Sequence, residues 1–110
     1  MEKKKLVFVS VPMSGKDDAL IERNKQITIA GYLKATGQSI KDVAFYDNHN
    51  GCLGLTFSDL NAPALGYLSK AILMLGKCDE AIFGQGWKEA RGCKIEHDIC
   101  ENYGIKIVMD

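Results

Sequence analysis

Four short apolar runs decide what this chain can become. LVFV at Leu6–Val9, VAFY at Val43–Tyr46, AIF at Ala81–Phe83 and IKIVM at Ile105–Met109 are β-branched or aromatic and too short for helices. The stretches between them have helical character, so the order is βαβαβαβ. Right-handed crossovers between successive parallel strands lay helices on both faces of one sheet. The expected fold is therefore α/β, a doubly wound three-layer sandwich of Rossmann/flavodoxin-like type on a four-stranded parallel sheet. Its first and third strands should be adjacent at the centre, with the ligand crevice beyond their C-terminal ends. A chain of 110 residues holds one such domain, residues 1–110, and one site.

The loop after the first strand, VSVPMSGKDD from Val9 to Asp18, superficially resembles a phosphate-binding loop. A Walker A loop needs G-x-x-x-x-G-K-[ST], and here Ser10 stands for the first glycine and Asp17 for the final hydroxyl. Asp17 would put a carboxylate where a hydroxyl must hold Mg²⁺ beside phosphates, which excludes an ATPase or GTPase loop. Ser14-Gly15-Lys16-Asp17 instead reads as a capping box opening a helix that runs to about Ala35, before Gly37. Pro63 suits the first turn of a second helix, whose Leu65, Leu68, Ile72 and Leu75 recur as a core stripe. The connection from Asp47 to Asn61, DNHNGCLGLTFSDLN, is long for so small a domain, which marks it as a candidate lid with His49 as an acid–base candidate.

Fourteen basic and fourteen acidic residues cancel, so the chain lacks the electrostatic footprint of a duplex-DNA or anionic-membrane binder. No apolar run is long enough to span a bilayer. The start MEKKKLVFVS has too short an apolar part, and no cleavage site, to act as a signal peptide, so a cytoplasmic location is expected. Cys52, Cys78, Cys93 and Cys100 show no C-x-x-C spacing, which points to free, mostly buried thiols and to no metal site. A small neutral or singly anionic ligand fits this balance, with no cofactor.

The helical stretch EARGCKIEHDICENY, Glu89 to Tyr103, ends at Gly104 and carries the chemistry. At 100° per residue, Gly92, Cys93, Ile99, Cys100 and Tyr103 all lie within about 60° of Glu96. A carboxylate in the middle of an apolar stripe needs a partner, a raised pKa or a ligand. The plainer alternative is a glutamate snorkelling at the sheet edge. Gly92, one turn before Glu96, leaves room for a ligand to approach it. The preceding turn, GQGW from Gly84 to Trp87, falls at the crevice, where Trp87 could stack on a base or simply cap the core. Lys88 and Arg91 at the helix start are phosphate candidates, and His97, about 100° from Glu96, should be exposed.

VSVPMSGK after the first strand, CDEAIF at the third and GWKEARGCKIEHDICENYGI together resemble the nucleoside 2-deoxyribosyltransferase-like family. The resemblance covers most of the chain outside residues 40–63. It implies that Glu96 is the nucleophile that attacks the anomeric carbon of deoxyribose, so that the base leaves and a glycosyl-enzyme passes to another base or to water. That chemistry is that of retaining glycosidases. It implies further that the first loop, Pro12, Met13, Ser14 and Gly15, and the Gly84, Gly86, Trp87 and Gly92 positions bind a nucleoside or nucleotide. A homodimer is also implied, because related enzymes complete their clefts with a neighbouring subunit. One departure stands out. The family's sugar-binding aspartate, eight residues before the aspartate that opens the third strand, Asp79, falls on Ala71 here. Either a carboxylate of the long connection, Asp47 or Asp59, replaces it, or the chain is a nucleotide-binding module without turnover. A structural or interaction protein that merely keeps the fold is the more distant reading.

Overall fold

The computed structural model describes residues 4–47 and 60–110. Along them run β1 (Lys5–Ser10), α1 (Asp18–Thr36), β2 (Val43–Tyr46), α2 (Pro63–Leu75), β3 (Glu80–Phe83), α3 (Arg91–Tyr103) and β4 (Lys106–Met109). All strand pairs are parallel and their order is β2-β1-β3-β4, so the order reverses between β1 and β3 as expected. Alternation along the strands feeds two cores. Val7, Val9, Val11, Val43 and Ile82 pack with Ile21 and Tyr32 of α1, while Phe8, Ala81 and Phe83 pack with Ala71 and Leu75 of α2 and Cys100 of α3. The result is the three-layer α/β sandwich.

The caps differ in detail from the sequence reading. Asp17, not Ser14, is the N-cap of α1, its Oδ1 accepting from the Leu20 N–H at 2.8 Å. Ser14 is drawn off into a turn closed by the Lys16 N–H on the Met13 carbonyl. Gly37 closes α1 and Gly104 closes α3, both in the left-handed conformation. The helix expected from Glu89 begins at Arg91, because Ala90 is extended and Trp87–Glu89 form a separate 3₁₀ turn.

The core stripe expected on α2 is corrected. Leu65 is 62% exposed and Ile72 43%, whereas Gly66, Lys70, Ala71 and Leu75 face inward. This helix is apolar nearly all round, so periodicity alone could not choose its buried face. Small residues, Gly66 and Ala71, occupy the side against the sheet and α3, where they allow close approach.

At the N-terminal ends of the strands a buried carboxylate is fully partnered. Glu80 accepts from the Tyr32 hydroxyl at 2.6 Å and from Lys5 Nζ at 3.3 Å, with Lys106 Nζ at 3.9 Å, and Tyr32 in turn accepts from Gln38. Burial and the carboxylate push the Tyr32 phenol up to about 12. Tyr32→Phe leaves this carboxylate without its shortest donor, and is expected to destabilise the protein by about 1.5–3 kcal/mol in urea unfolding with an unchanged m-value.

Candidate functional site

The last residue of β1 is polar at the end of an apolar strand. Ser10 is buried, and its Oγ donates to Glu96 Oε1 of α3 at 2.6 Å. Glu96 is 3% exposed and Cys93, one turn earlier, is also buried. Burial raises the Glu96 carboxyl to about 7, and the Ser10 hydrogen bond opposes that rise. Burial also pushes the Cys93 thiol up to about 11, so it is no thiolate near neutral pH. The snorkelling alternative for Glu96 is thereby excluded. It is a desolvated carboxyl with one hydroxyl donor, poised between its charged and neutral forms around neutrality, at the β1/β3 switch point.

The surroundings are built by the GQGW turn. The Gly84 N–H continues the ladder onto the Ser10 carbonyl at 2.9 Å. A methyl at Gly84 would lie 2.7 Å from both Thr28 Oγ1 and Val11 Cγ1, so only glycine lets the turn seat on β1. Gly86 has φ +88°, and a methyl there would meet Pro12 Cγ at 3.5 Å. The turn and the first loop therefore touch through Gly86 and the buried Pro12. Met13 packs against the α1-side core, while Ser14 and Gly15 are exposed on the turn beyond it.

Above Glu96, a methyl built on Gly92 would find nothing within 4 Å. The N-terminus of α3 has no side-chain cap and no acidic residue in its first turn, and Arg91 there is exposed. The N-terminus of α1 is different: Asp17 caps it and Asp18 adds a second carboxylate, which makes it a poor partner for phosphate.

Several candidates do not join the cluster. Asp79 lies at the opposite end of the sheet, bridging to β1 through its own N–H on the Leu6 carbonyl and its Oδ2 on the Leu6 N–H. Asp47 is held on the α1 side, its Oδ2 3.2 Å from Lys25 Nζ, and Lys25 also meets Glu22 at 2.9 Å. Burial opposes the charge of Lys25, but the two carboxylates outweigh it and hold its pKa above the usual value. His49, Cys52 and Asp59 fall outside the described residues. Ala71 is fully buried among Phe8, Leu75, Phe83 and Cys100.

Two further expectations are corrected on α3. His97 is buried rather than exposed: its ring stacks on Trp87 at 4.1 Å and 7°, its Nε2 lies 2.9 Å from Asp110 Oδ2, and its Nδ1 lies 3.3 Å from Glu101. The flank 100° from Glu96 packs against Phe83, Trp87 and the end of β4, so α3 is buried on two sides. Tyr103, by contrast, is 81% exposed, because the helix has by then run past the sheet. A cleft of about 390 Å³ opens on this β4 flank, between the Phe83–Glu89 segment and Asp110. Neither Glu96 nor Ser10 is among its lining residues. Trp87 already has one face covered by His97, and Lys88 Nζ lies 5.7 Å from its ring centre. The buried His97 and the exposed Asp98 and Glu101 could offer atoms to a metal ion, but that group does not include Ser10 or Glu96. Among the described residues the cysteines Cys78, Cys93 and Cys100 are free, and no helix is long and apolar enough to cross a membrane.

Fold and site together define a doubly wound α/β protein with a buried, partly ionised carboxyl group at its switch point. A family model for a domain of unknown function, DUF4406, matches residues 5–109, and the chain belongs to that family. No curated protein and no solved structure matches it.

The electrostatics give a signed expectation. A folded-state pKa near 7, above the ordinary 4.5, means that the neutral form favours the fold, so this contribution is complete below about pH 4.5 and is lost as pH rises through about 7. Glu96→Gln, which cannot ionise, should gain on wild type by about 2–4 kcal/mol between pH 4.5 and pH 8 in urea unfolding. Ser10→Ala removes the donor that opposes the rise, and the Glu96 carboxyl titration followed by NMR should move to higher pH.

Proposed function

We propose that this protein acts on the N-glycosidic bond of a 2′-deoxynucleoside or its monophosphate, with Glu96 as the nucleophile. The observation that carries the reading is the buried Glu96 carboxyl, held by Ser10 at the switch-point crevice beneath the gap at Gly92. The resemblance of VSVPMSGK, CDEAIF and the GW-x-x-x-RG-x-x-x-EH stretch to the nucleoside 2-deoxyribosyltransferase-like proteins supports it.

In this reading Glu96 attacks the anomeric carbon as its ionised form, and the C–N bond breaks with its electron pair going to the base. A glycosyl ester forms on Glu96 and is then released to water or a second base. Burial strengthens the stabilisation that the carboxylate gives an oxocarbenium-like transition state. The Ser10 hydroxyl orients the carboxylate and keeps part of it ionised at neutral pH. A phosphate on the substrate is better served by the N-terminus of α3, which has no side-chain cap among the described residues, and by Arg91 than by the Ser14-Gly15 turn, which backs onto Asp17 and Asp18.

One specific observation favours a second reading, a nucleotide-binding module without turnover. Ala71 stands where the related enzymes place a sugar-binding aspartate, and it is core. The described candidate for its replacement, Asp47, is paired with Lys25 on the α1 side.

Incubation with a panel of 2′-deoxynucleosides and their monophosphates, followed by chromatography for free base, separates the two. Release by wild type, loss of at least about a thousandfold in Glu96→Gln and retained binding by that variant establish the nucleophile. Binding without release by either form establishes the module. Neither binding nor release with any member of the panel rejects both.

A further inference from the structure

On the β4 flank of α3, the two ring nitrogens of the buried His97 face acceptors on opposite sides. Nε2 is hydrogen-bonded to Asp110 Oδ2 at 2.9 Å, and because a carboxylate only accepts, Nε2 carries the ring proton. Nδ1 is then the lone-pair nitrogen of the neutral ring. It lies 3.3 Å from Glu101 Oε1, and among the described residues it makes no hydrogen bond. An acceptor set against an acceptor in a site that is 8% exposed calls for an electrophile between them. Asp98 supplies a third acceptor, since one ligand atom each from His97, Asp98 and Glu101 lie within 4.8 Å of one another. Among the described residues neither of these carboxylates has a lysine or arginine at ion-pair distance. A proton on Nδ1 would offset one of the two negative charges and would draw Glu101 into a hydrogen bond. A dication offsets both.

We propose that His97 Nδ1, Glu101 and Asp98 form a binding site for a zinc-type divalent cation, with Asp110 orienting the imidazole from its far side. The Nδ1–Oε1 separation of 3.3 Å is that of two neighbouring ligands on a tetrahedral ion bonded at about 2.0–2.2 Å. Glu101 is one helical turn after His97 and Asp98, so all three side chains leave α3 on adjoining parts of its surface. The exposed Asp98 and Glu101 are free to turn onto an ion beside the fixed ring. One imidazole nitrogen with two carboxylates suits zinc rather than magnesium or calcium, and leaves the fourth position to water. The contact from Nε2 to Asp110 is the carboxylate–histidine pairing that fixes the tautomer of a ligating ring. An ion there joins α3 to the end of β4. It also reaches the GQGW turn, because the His97 ring is stacked on Trp87 at 4.1 Å.

Trp87 is the one tryptophan of the chain, so its emission reports on the ring stacked against it. The full chain, freed of metal with a chelator, is titrated with zinc chloride at neutral pH while that emission is followed, and isothermal calorimetry gives the stoichiometry. A saturable change with one ion per chain is expected. Glu101→Gln and Asp98→Asn, both at exposed positions, should each weaken binding at least about tenfold, and Asp110→Asn about 10–100-fold without loss of a ligand. Asp42→Asn, an exposed carboxylate ahead of β2, should change nothing. Far-UV circular dichroism checks that each variant is folded, and nitrogen NMR of the ring should show zinc on Nδ1 with the proton kept on Nε2. No saturable response up to about 1 mM zinc overturns the proposal. So does a response that Glu101→Gln and Asp98→Asn leave unchanged, which marks an adventitious ion only. Zinc found on Nε2, or binding indifferent to Asp110→Asn, overturns the part given to Asp110.

Discussion

Among the described residues everything is arranged around β1, the longest strand, which pairs with β2 on one edge and with β3 on the other. Val7 and Phe8 are wholly buried, and they point to opposite cores. A strand buried on both faces and paired on both edges has no tolerance for polar side chains except at its ends. Ser10 is at such an end. Its backbone still belongs to the ladder, through the Gly84 N–H, while its hydroxyl is released toward α3. The sheet thus delivers one hydrogen-bond donor, on the most rigid element, to the carboxyl group of Glu96.

Two buried glutamates show how differently one side chain can be used. Glu80, at the N-terminal ends of the strands, has a phenol and two ammonium groups around it, so its charge is matched and its role is structural. Glu96, at the C-terminal ends, has the Ser10 hydroxyl as its donor and no ion pair among the described residues, and burial raises its pKa to about 7. An incompletely compensated carboxyl group costs stability, and such a cost is more often met at functional sites than in a core. The fold therefore keeps a matched buried carboxylate at one end of the sheet and an incompletely compensated one at the other.

The two helical layers divide in a similar way. α1 alone covers one face, with its outer side charged. α2 and α3 share the other, where α3 supplies the site and a charged outer edge while α2 is uncharged outside. Placing small residues, Gly66 and Ala71, inward lets α2 approach the sheet and α3 closely, and it leaves the larger leucines and isoleucine of that helix outside. The same inward turn makes position 71 part of the core, which bears directly on whether a sugar-binding carboxylate can be supplied from α2.

Much of this was legible before any coordinates. The alternation of short β-branched runs with helical stretches determined the α/β class, the parallel sheet and its central pair of strands, because crossover handedness leaves few topologies. Pro63, Gly37 and Gly104 marked helix boundaries for local steric reasons, and Glu96 stood out because a glutamate on an apolar stripe is an anomaly that periodicity can detect. What periodicity could not supply was direction. It misplaced the buried face of α2, since a helix apolar all round has no preferred side until neighbours are present, and it put His97 in solvent because α3 is buried on two flanks. It passed over Ser10, whose only signal was a polar residue closing the run LVFV. Whether Glu96 would be paired, and by what, depended on a contact between residues 86 positions apart. Such contacts are made by the packing of elements and leave no trace in the local pattern, so the sequence by itself determined which elements form and that Glu96 was out of place, while tertiary structure alone decided that a single serine hydroxyl holds it at the crevice.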